Sequence, residues 1–95
     1  MVQLFNWDES KDSLNEKKHG VSFREAATVF SDENALVIPD IDHSEYEERF
    51  VIIGLSSKLR LLVVCHCFRE SDTTIRLISA RKATKRESEL YGGSQ

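Results

Sequence analysis

The segment Arg60-Leu61-Leu62-Val63-Val64-Cys65-His66-Cys67-Phe68 constrains this chain more than any other. In an extended conformation Leu61, Val63, Cys65 and Cys67 share one face, and Leu62, Val64, His66 and Phe68 share the other. Neither set suits water, so the segment is predicted to be a central strand covered on both sides. With 95 residues the chain is the size of one domain, and such a strand needs a covering layer on each side.

The flanking residues supply them. Residues 4–7 read as a short strand. Asp8 is placed as the N-cap of a helix over 9–19, with Gly20 as its left-handed stop. Leu14 is the one strong apolar residue of that helix, helped by the stems of Lys11 and Lys18. Ser22-Phe23-Arg24-Glu25 is a capping box, and Phe23, Ala26, Ala27 and Phe30 follow at core spacing. Strands are then predicted at 35–38, closed by Pro39, and at 48–55, 60–68 and 73–82. A second capping box, Thr84-Lys85-Arg86-Glu87, opens a short helix through Tyr91. The order β-α-α-β-β-β-β-α predicts an α+β fold: an antiparallel sheet on two N-terminal helices, with a short C-terminal helix. Residues 1–91 form the expected single domain, and Gly92-Gly93-Ser94-Gln95 the expected flexible tail.

Apolar content of 40% with 31% charged residues is that of a folded chain rather than a disordered one. No apolar run approaches the ~20 residues a membrane helix needs. The first eight residues, MVQLFNWD, lack the basic and apolar regions of a signal peptide, so a cytoplasmic location is expected. Cys65 and Cys67 lie about 6.5 Å apart along one strand face, which suits neither a disulfide nor a C-x-x-C site. They are expected as buried, reduced thiols. The charge is split: residues 1–49 carry five Lys/Arg against twelve Asp/Glu, and residues 50–95 carry eight against four. Such asymmetry speaks of partners rather than of fold.

The junction from Ser79 to Arg86 concentrates the positive charge. Strict alternation in the last strand puts Arg76, Ile78, Ala80 and Lys82 on one face and Ile75, Leu77, Ser79 and Arg81 on the other. Arg81, Lys82, Lys85 and Arg86 then surround a helix N-terminus, where cations are unfavourable unless an external anion offsets them. Lys18 and His19 end the first helix, a position the helix dipole by itself explains. Asp42-His43-Ser44-Glu45-Tyr46-Glu47-Glu48-Arg49 offers an imidazole, carboxylates and a guanidinium as it enters a strand, with Glu47 and Arg49 on one face. His66, mid-strand among aliphatics, fits a core histidine as well as a catalytic one. None of these sets has metal-ligand spacing, and no phosphate-binding glycine loop or nucleophile elbow occurs, so no metal or cofactor is called for. Cations, histidines and a carboxylate are the ingredients for cutting RNA, which brings its own nucleophile in the 2′-OH.

Trp7-Asp8-Glu9-x-Lys11, Asn15-x-x-Lys18-His19-Gly20-Val21-Ser22-Phe23 and Ala26-Ala27-x-Val29-Phe30 resemble the opening of the BrnT family. Asp42-x-x-x-Glu45-x-Glu47-x-Arg49-Phe50, Ile53-Gly54 and Ile78-Ser79-Ala80-Arg81-Lys82-Ala83-Thr84 are similar to its middle and end. The likeness spans about residues 4–91, with Glu33 standing where many relatives have proline. It implies a RelE-like ribonuclease toxin of a type II toxin–antitoxin system that arrests translation by degrading RNA. It also implies a BrnA-like ribbon-helix-helix antitoxin, and operator DNA bound only through the toxin–antitoxin complex. Lys18, His19, Arg49, Ser79 and Arg81 fall in the matching motifs and are its candidate catalytic residues. Glu47 and His66, with His43 as a further candidate, rest on chemistry alone. So do Arg76, Lys82, Lys85 and Arg86 as RNA-binding residues.

The mechanism so expected is metal-independent. Arginines stabilise the phosphorane, Glu47 or a histidine takes the 2′-OH proton, and another of His19, His43 and His66 protonates the leaving oxygen. Two competing readings are a non-catalytic nucleic-acid-binding corepressor and a pure antitoxin-interaction protein. RNA degradation by the purified chain separates the first reading from both.

Overall fold

The computed structural model of the chain describes residues 3–70 and 73–93. Its elements are β1 (Leu4–Asn6), α1 (Glu9–His19), α2 (Phe23–Thr28), β2 (Leu36–Pro39), β3 (Phe50–Leu55), β4 (Leu61–Arg69), β5 (Thr74–Lys82) and α3 (Lys85–Gly93). Short 3₁₀ turns at Val29–Ser31 and Ile41–His43 lie between them. The predicted order therefore holds, and the strands form one sheet, β1-β5-β4-β3-β2, with β4 at its centre. Residues 92 and 93, expected in the tail, continue α3; residues 94 and 95, like the Ser71-Asp72 part of the last turn, lie outside the described residues. No described helix is long and apolar enough to cross a membrane.

The sheet is mixed rather than wholly antiparallel. β2 to β5 pair antiparallel, but β1 runs parallel to β5, with Phe5 opposite Ile75. The reason is parity. β2 enters opposite in sense to β1, and three reversals return the chain, in β5, to the direction of β1. Helices α1 and α2 carry the chain across one face to the far edge between these events.

That face holds the core. Val21, Phe23, Ala26 and Val29 pack on Ile52, Leu62, Val64, Ile75, Leu77 and Ala80, all buried. Burying each valine, leucine, isoleucine or phenylalanine among them contributes about 1.5–3 kcal/mol. Ser22 caps α2 as predicted, accepting from the Glu25 N–H at 3.1 Å. The Glu25 carboxylate does not turn back to close the box. It is buried against Arg60 and accepts from the Ser56 hydroxyl at 2.7 Å.

α1 is held differently from the expectation. Asp8 caps it, accepting from the N–H groups of Ser10 and Lys11, and Gly20 stops it at φ 70°. Leu14, however, is 66% exposed, and the residue α1 buries is Asn15. The Asn15 amide donates to the carbonyls of Ala80 (2.8 Å) and Val21 (2.9 Å), and its Oδ1 accepts from the Ala80 N–H (3.1 Å). The pairing of β1 with β5 stops at Arg76, so the next stretch of β5 edge has no strand beside it. Asn15 supplies the missing ladder bonds, and a polar side chain docks this helix where a leucine was expected to.

Alternation along β5 is also corrected. β4 pairs Cys65 with Ser79 and His66 with Leu77, leaving Ile78 unpaired as a bulge. Ala80, Leu77 and Ile75 therefore all face the helices, although strict alternation had separated Ala80 from the other two. Arg81, Ser79 and Arg76 stand on the outer face, with Ile78 leaning the same way.

Candidate functional site

Two elements close over the outer face. α3 touches β3, and its Tyr91 hydroxyl donates to Asp32 Oδ2 at 2.7 Å. Asp32 also accepts from the Leu55 N–H at 2.8 Å, so α3 is tied to the end of β3. The 3₁₀ turn Ile41–His43 covers the same face further along the strands, where the Cys65 thiol donates to Asp40 Oδ2 at 3.7 Å. Between these covers lies a depression of about 240 Å³. Its floor is Val51, Val63, Cys65 and Ile78, and its rim is Asp40, His43, Arg49, Ser79 and Arg81.

Four of the candidate residues thus meet: His43, Arg49, Ser79 and Arg81. They come from a turn, the entry to β3 and the bulged end of β5. The bulge matters here, because it lets Ser79 and Arg81 face outward while Leu77 and Ile75 stay in the core.

Their partners differ. Arg81 is clamped by Glu87: Nη1 donates to Oε1 at 2.7 Å and Nη2 to Oε2 at 2.8 Å. Hydrogen bonding to Arg81, against partial burial, draws the Glu87 carboxyl down to about 2. The same bonding raises the Arg81 guanidinium above its ordinary value. Arg49 is loosely held by comparison. Its Nη2 lies 3.7 Å from Glu47, and its Nε is buried without a hydrogen-bond partner. The His43 Nδ1 lies 3.1 Å from Asp40 Oδ1, an arrangement that leaves Nε2 free to accept a proton when Nδ1 carries the hydrogen. Burial first, and then the Asp40 carboxylate, push the Cys65 thiol up to about 11, so it faces the depression as a neutral group.

The other candidates lie elsewhere. Glu47 stands beside the depression, 2.9 Å from Arg69, and borders a neighbouring hollow with Asp42, His43, Glu45 and Arg49. Arg76 is on the outer face at the other end of β5, donating to Asn6 Oδ1 at 3.3 Å. Lys82 has the phase of Ala80 and points to the helix side, while Lys85 and Arg86 are exposed on the first turn of α3. Lys18 and His19 end α1, outside the depression. His66 is 1% exposed on the helix face, boxed in by Phe30, Phe50 and Phe68. Burial lowers its pKa and keeps it neutral.

Sequence reasoning missed Asp40, Cys65 and Glu87. The capping box explains Glu87 from the sequence alone, and Glu87 does cap: it accepts from the Thr84 N–H at 2.8 Å, and Thr84 Oγ1 accepts from the Glu87 N–H at 3.2 Å. An arginine six residues earlier, on the strand feeding that cap, was the available signal. Among the described residues no three His, Cys, Asp or Glu side chains are arranged to hold a metal ion.

A family model described as "Ribonuclease toxin, BrnT, of type II toxin-antitoxin system" matches residues 7–87. Among solved structures, the crystal structure of the Brucella abortus ribonuclease toxin BrnT is similar to this chain with a TM-score of 0.67. That match has 24% identity and covers 88% of this chain and 100% of the other, a likeness of fold. No curated protein matches. With the family model covering β2 to β5, α1, α2 and the depression's rim, the chain belongs to the BrnT family of ribonuclease toxins of type II toxin–antitoxin systems.

Proposed function

We propose that the depression on the outer face binds the scissile phosphate of single-stranded RNA, and that the chain cleaves it without a metal. The observation that carries this reading is the pair of arginines. Arg49 and Arg81 border one hollow beside Ser79; Arg81 leaves its Nε–H uncommitted among the described residues, and the Arg49 Nη2 is held loosely, 3.7 Å from Glu47. Two guanidinium groups match the charge that develops on the phosphorane oxygens.

His43 takes the 2′-OH proton at Nε2, with Asp40 holding Nδ1–H; of the candidate histidines it is the one bordering the depression. The 2′-oxygen then attacks phosphorus, the P–O5′ bond breaks with the 5′-oxygen taking a proton from water, and a 2′,3′-cyclic phosphate results. Glu47 is less suited to proton transfer, since Arg69 and Arg49 engage its carboxylate. His66, sealed in the core, serves packing. RNA steering falls to Arg76, Lys85 and Arg86, with Lys18 and Lys82 on the helix side.

On this reading the toxin acts in the cytoplasm, arrests translation, and is neutralised by a BrnA-like ribbon-helix-helix protein. That partner would cover the basic rim with acidic residues and carry the complex to operator DNA. The deciding experiment is digestion of end-labelled RNA by purified protein in EDTA, with product ends identified. Cyclic phosphate ends are expected, with R81A and R49A each slowed about 100-fold or more. A magnesium requirement or 5′-phosphate products would overturn the mechanism.

A further inference from the structure

A guanidinium has five N–H donors, and the protein itself engages three of those on Arg81. Nη1 donates to Glu87 Oε1 and, at 3.3 Å, to the Lys82 carbonyl, while Nη2 gives one hydrogen to Glu87 Oε2. What remains is the Nε–H and the second Nη2–H. These two lie side by side along one edge of the planar group, the fork that grips two oxygens of a phosphate. Glu87 grips the end of the guanidinium and leaves the side edge open.

The carboxylate that does this is itself fixed. Its Oε1 also takes the Thr84 N–H, and α3, which carries it, is tied to β3 through Tyr91 and Asp32. A free arginine at the mouth of a shallow depression would sample many rotamers. This one is held from behind by a residue whose own position is set by two elements.

We propose that Glu87 is a positioning residue of the ribonuclease: by clamping Arg81 end-on, it presents the Nε–Nη2 edge to the phosphate. The inference rests on the reading that Arg81 binds the scissile phosphate. It carries a signature that a purely structural cap does not. Glu87 adds a negative charge beside the place where anionic RNA sits, so its removal does not weaken RNA attraction. What is lost is the orientation needed in the transition state. KM stays level or falls, and kcat falls.

The test uses the full chain on end-labelled single-stranded RNA of mixed sequence, comparing E87Q, R81A, the double variant R81A/E87Q, and T84A. Thr84→Ala breaks the other half of the capping box and leaves the carboxylate–guanidinium clamp in place. E87Q is expected to lose about tenfold or more in kcat with KM unchanged or lower. R81A/E87Q should be no slower than R81A, because the glutamate acts through the arginine. T84A should match E87Q in lost thermal stability while keeping kcat. Wild-type kcat in E87Q alongside an inactive R81A would overturn the positioning role alone. So would a T84A variant that loses as much kcat as E87Q. An R81A variant with full activity would instead overturn the reading of Arg81 on which the inference stands.

Discussion

Replacing Arg60 with alanine tests how the two layers of this small domain are joined. The Glu25 side chain is 2% exposed, and Arg60 is 30% exposed. Arg60 Nε donates to Glu25 Oε2 at 2.9 Å, Nη2 pairs with Oε1, and Nη2 also reaches the Gly20 carbonyl at 3.0 Å. Arg60→Ala leaves a carboxylate in the interior with the Ser56 hydroxyl as its remaining side-chain partner. Removing one partner of a buried pair costs about 3–5 kcal/mol, and partial exposure of Arg60 points to the lower end, about 3 kcal/mol. For a domain of this length that lowers Tm by about 12–24 °C.

The loss also has a pH signature. Hydrogen bonding to Arg60, against burial, holds the Glu25 carboxyl below its ordinary 4.5. In the wild type this stabilisation is present above that ordinary value and is lost as pH falls through the lower folded one. In R60A the hydrogen bonds and charge of Arg60 no longer offset burial, so the folded value rises relative to wild type and less stability is lost in acid. The gap between the two proteins should therefore be widest near neutrality and shrink towards about pH 4. Thermal melts across that range measure it. A Tm within about 2 °C of wild type at neutral pH, with parallel pH curves, would refute the reasoning.

Gly54→Ala should destabilise by about 1–3 kcal/mol, because the new Cβ would lie 2.8 Å from Val29 Cγ1 and 3.0 Å from Ala35 Cβ. The midpoint of urea unfolding reads this, with no change in slope expected. Asn15→Ala should cost about 2–3 kcal/mol by stripping partners from both backbone groups of Ala80 and from the Val21 carbonyl. Faster hydrogen exchange at the Ala80 amide, relative to amides of β4, is the expected mark of that loss.

Much of the architecture could be read from residue order. The doubly apolar run at 61–68 announced the central strand, and Asp8, Gly20, Ser22 and Thr84 marked helix ends through their own backbone chemistry. Longer-range events were beyond such reading. Nothing local to β1 says it will lie beside β5, since that follows from a count of reversals downstream. Nothing in Ile75 to Lys82 says where the ladder skips a residue, because β4 decides it. Nothing beside Asn15 in the sequence marks its docking role, because its partners on Ala80 lie 65 positions away. For the candidate site, chemistry and the resemblance picked out Arg49, Ser79, Arg81 and His43. Their convergence, and the exclusion of His66 from it, needed the sheet.

The skipped residue at Ile78 has a consequence for how such a protein can change. It acts as a phase shifter, with the stretch before it and the stretch after it keeping separate counts. A one-residue deletion there would preserve net charge, the hairpin and nearly all the composition. With the extra residue gone, Leu77, Ser79 and Ala80 would alternate in the register that β4 already sets, so Ala80 would still face the helices and Arg81 the outer face. What the deletion would take away is Ile78 itself, part of the floor of the depression, with every charged residue still in the chain and still on its own face.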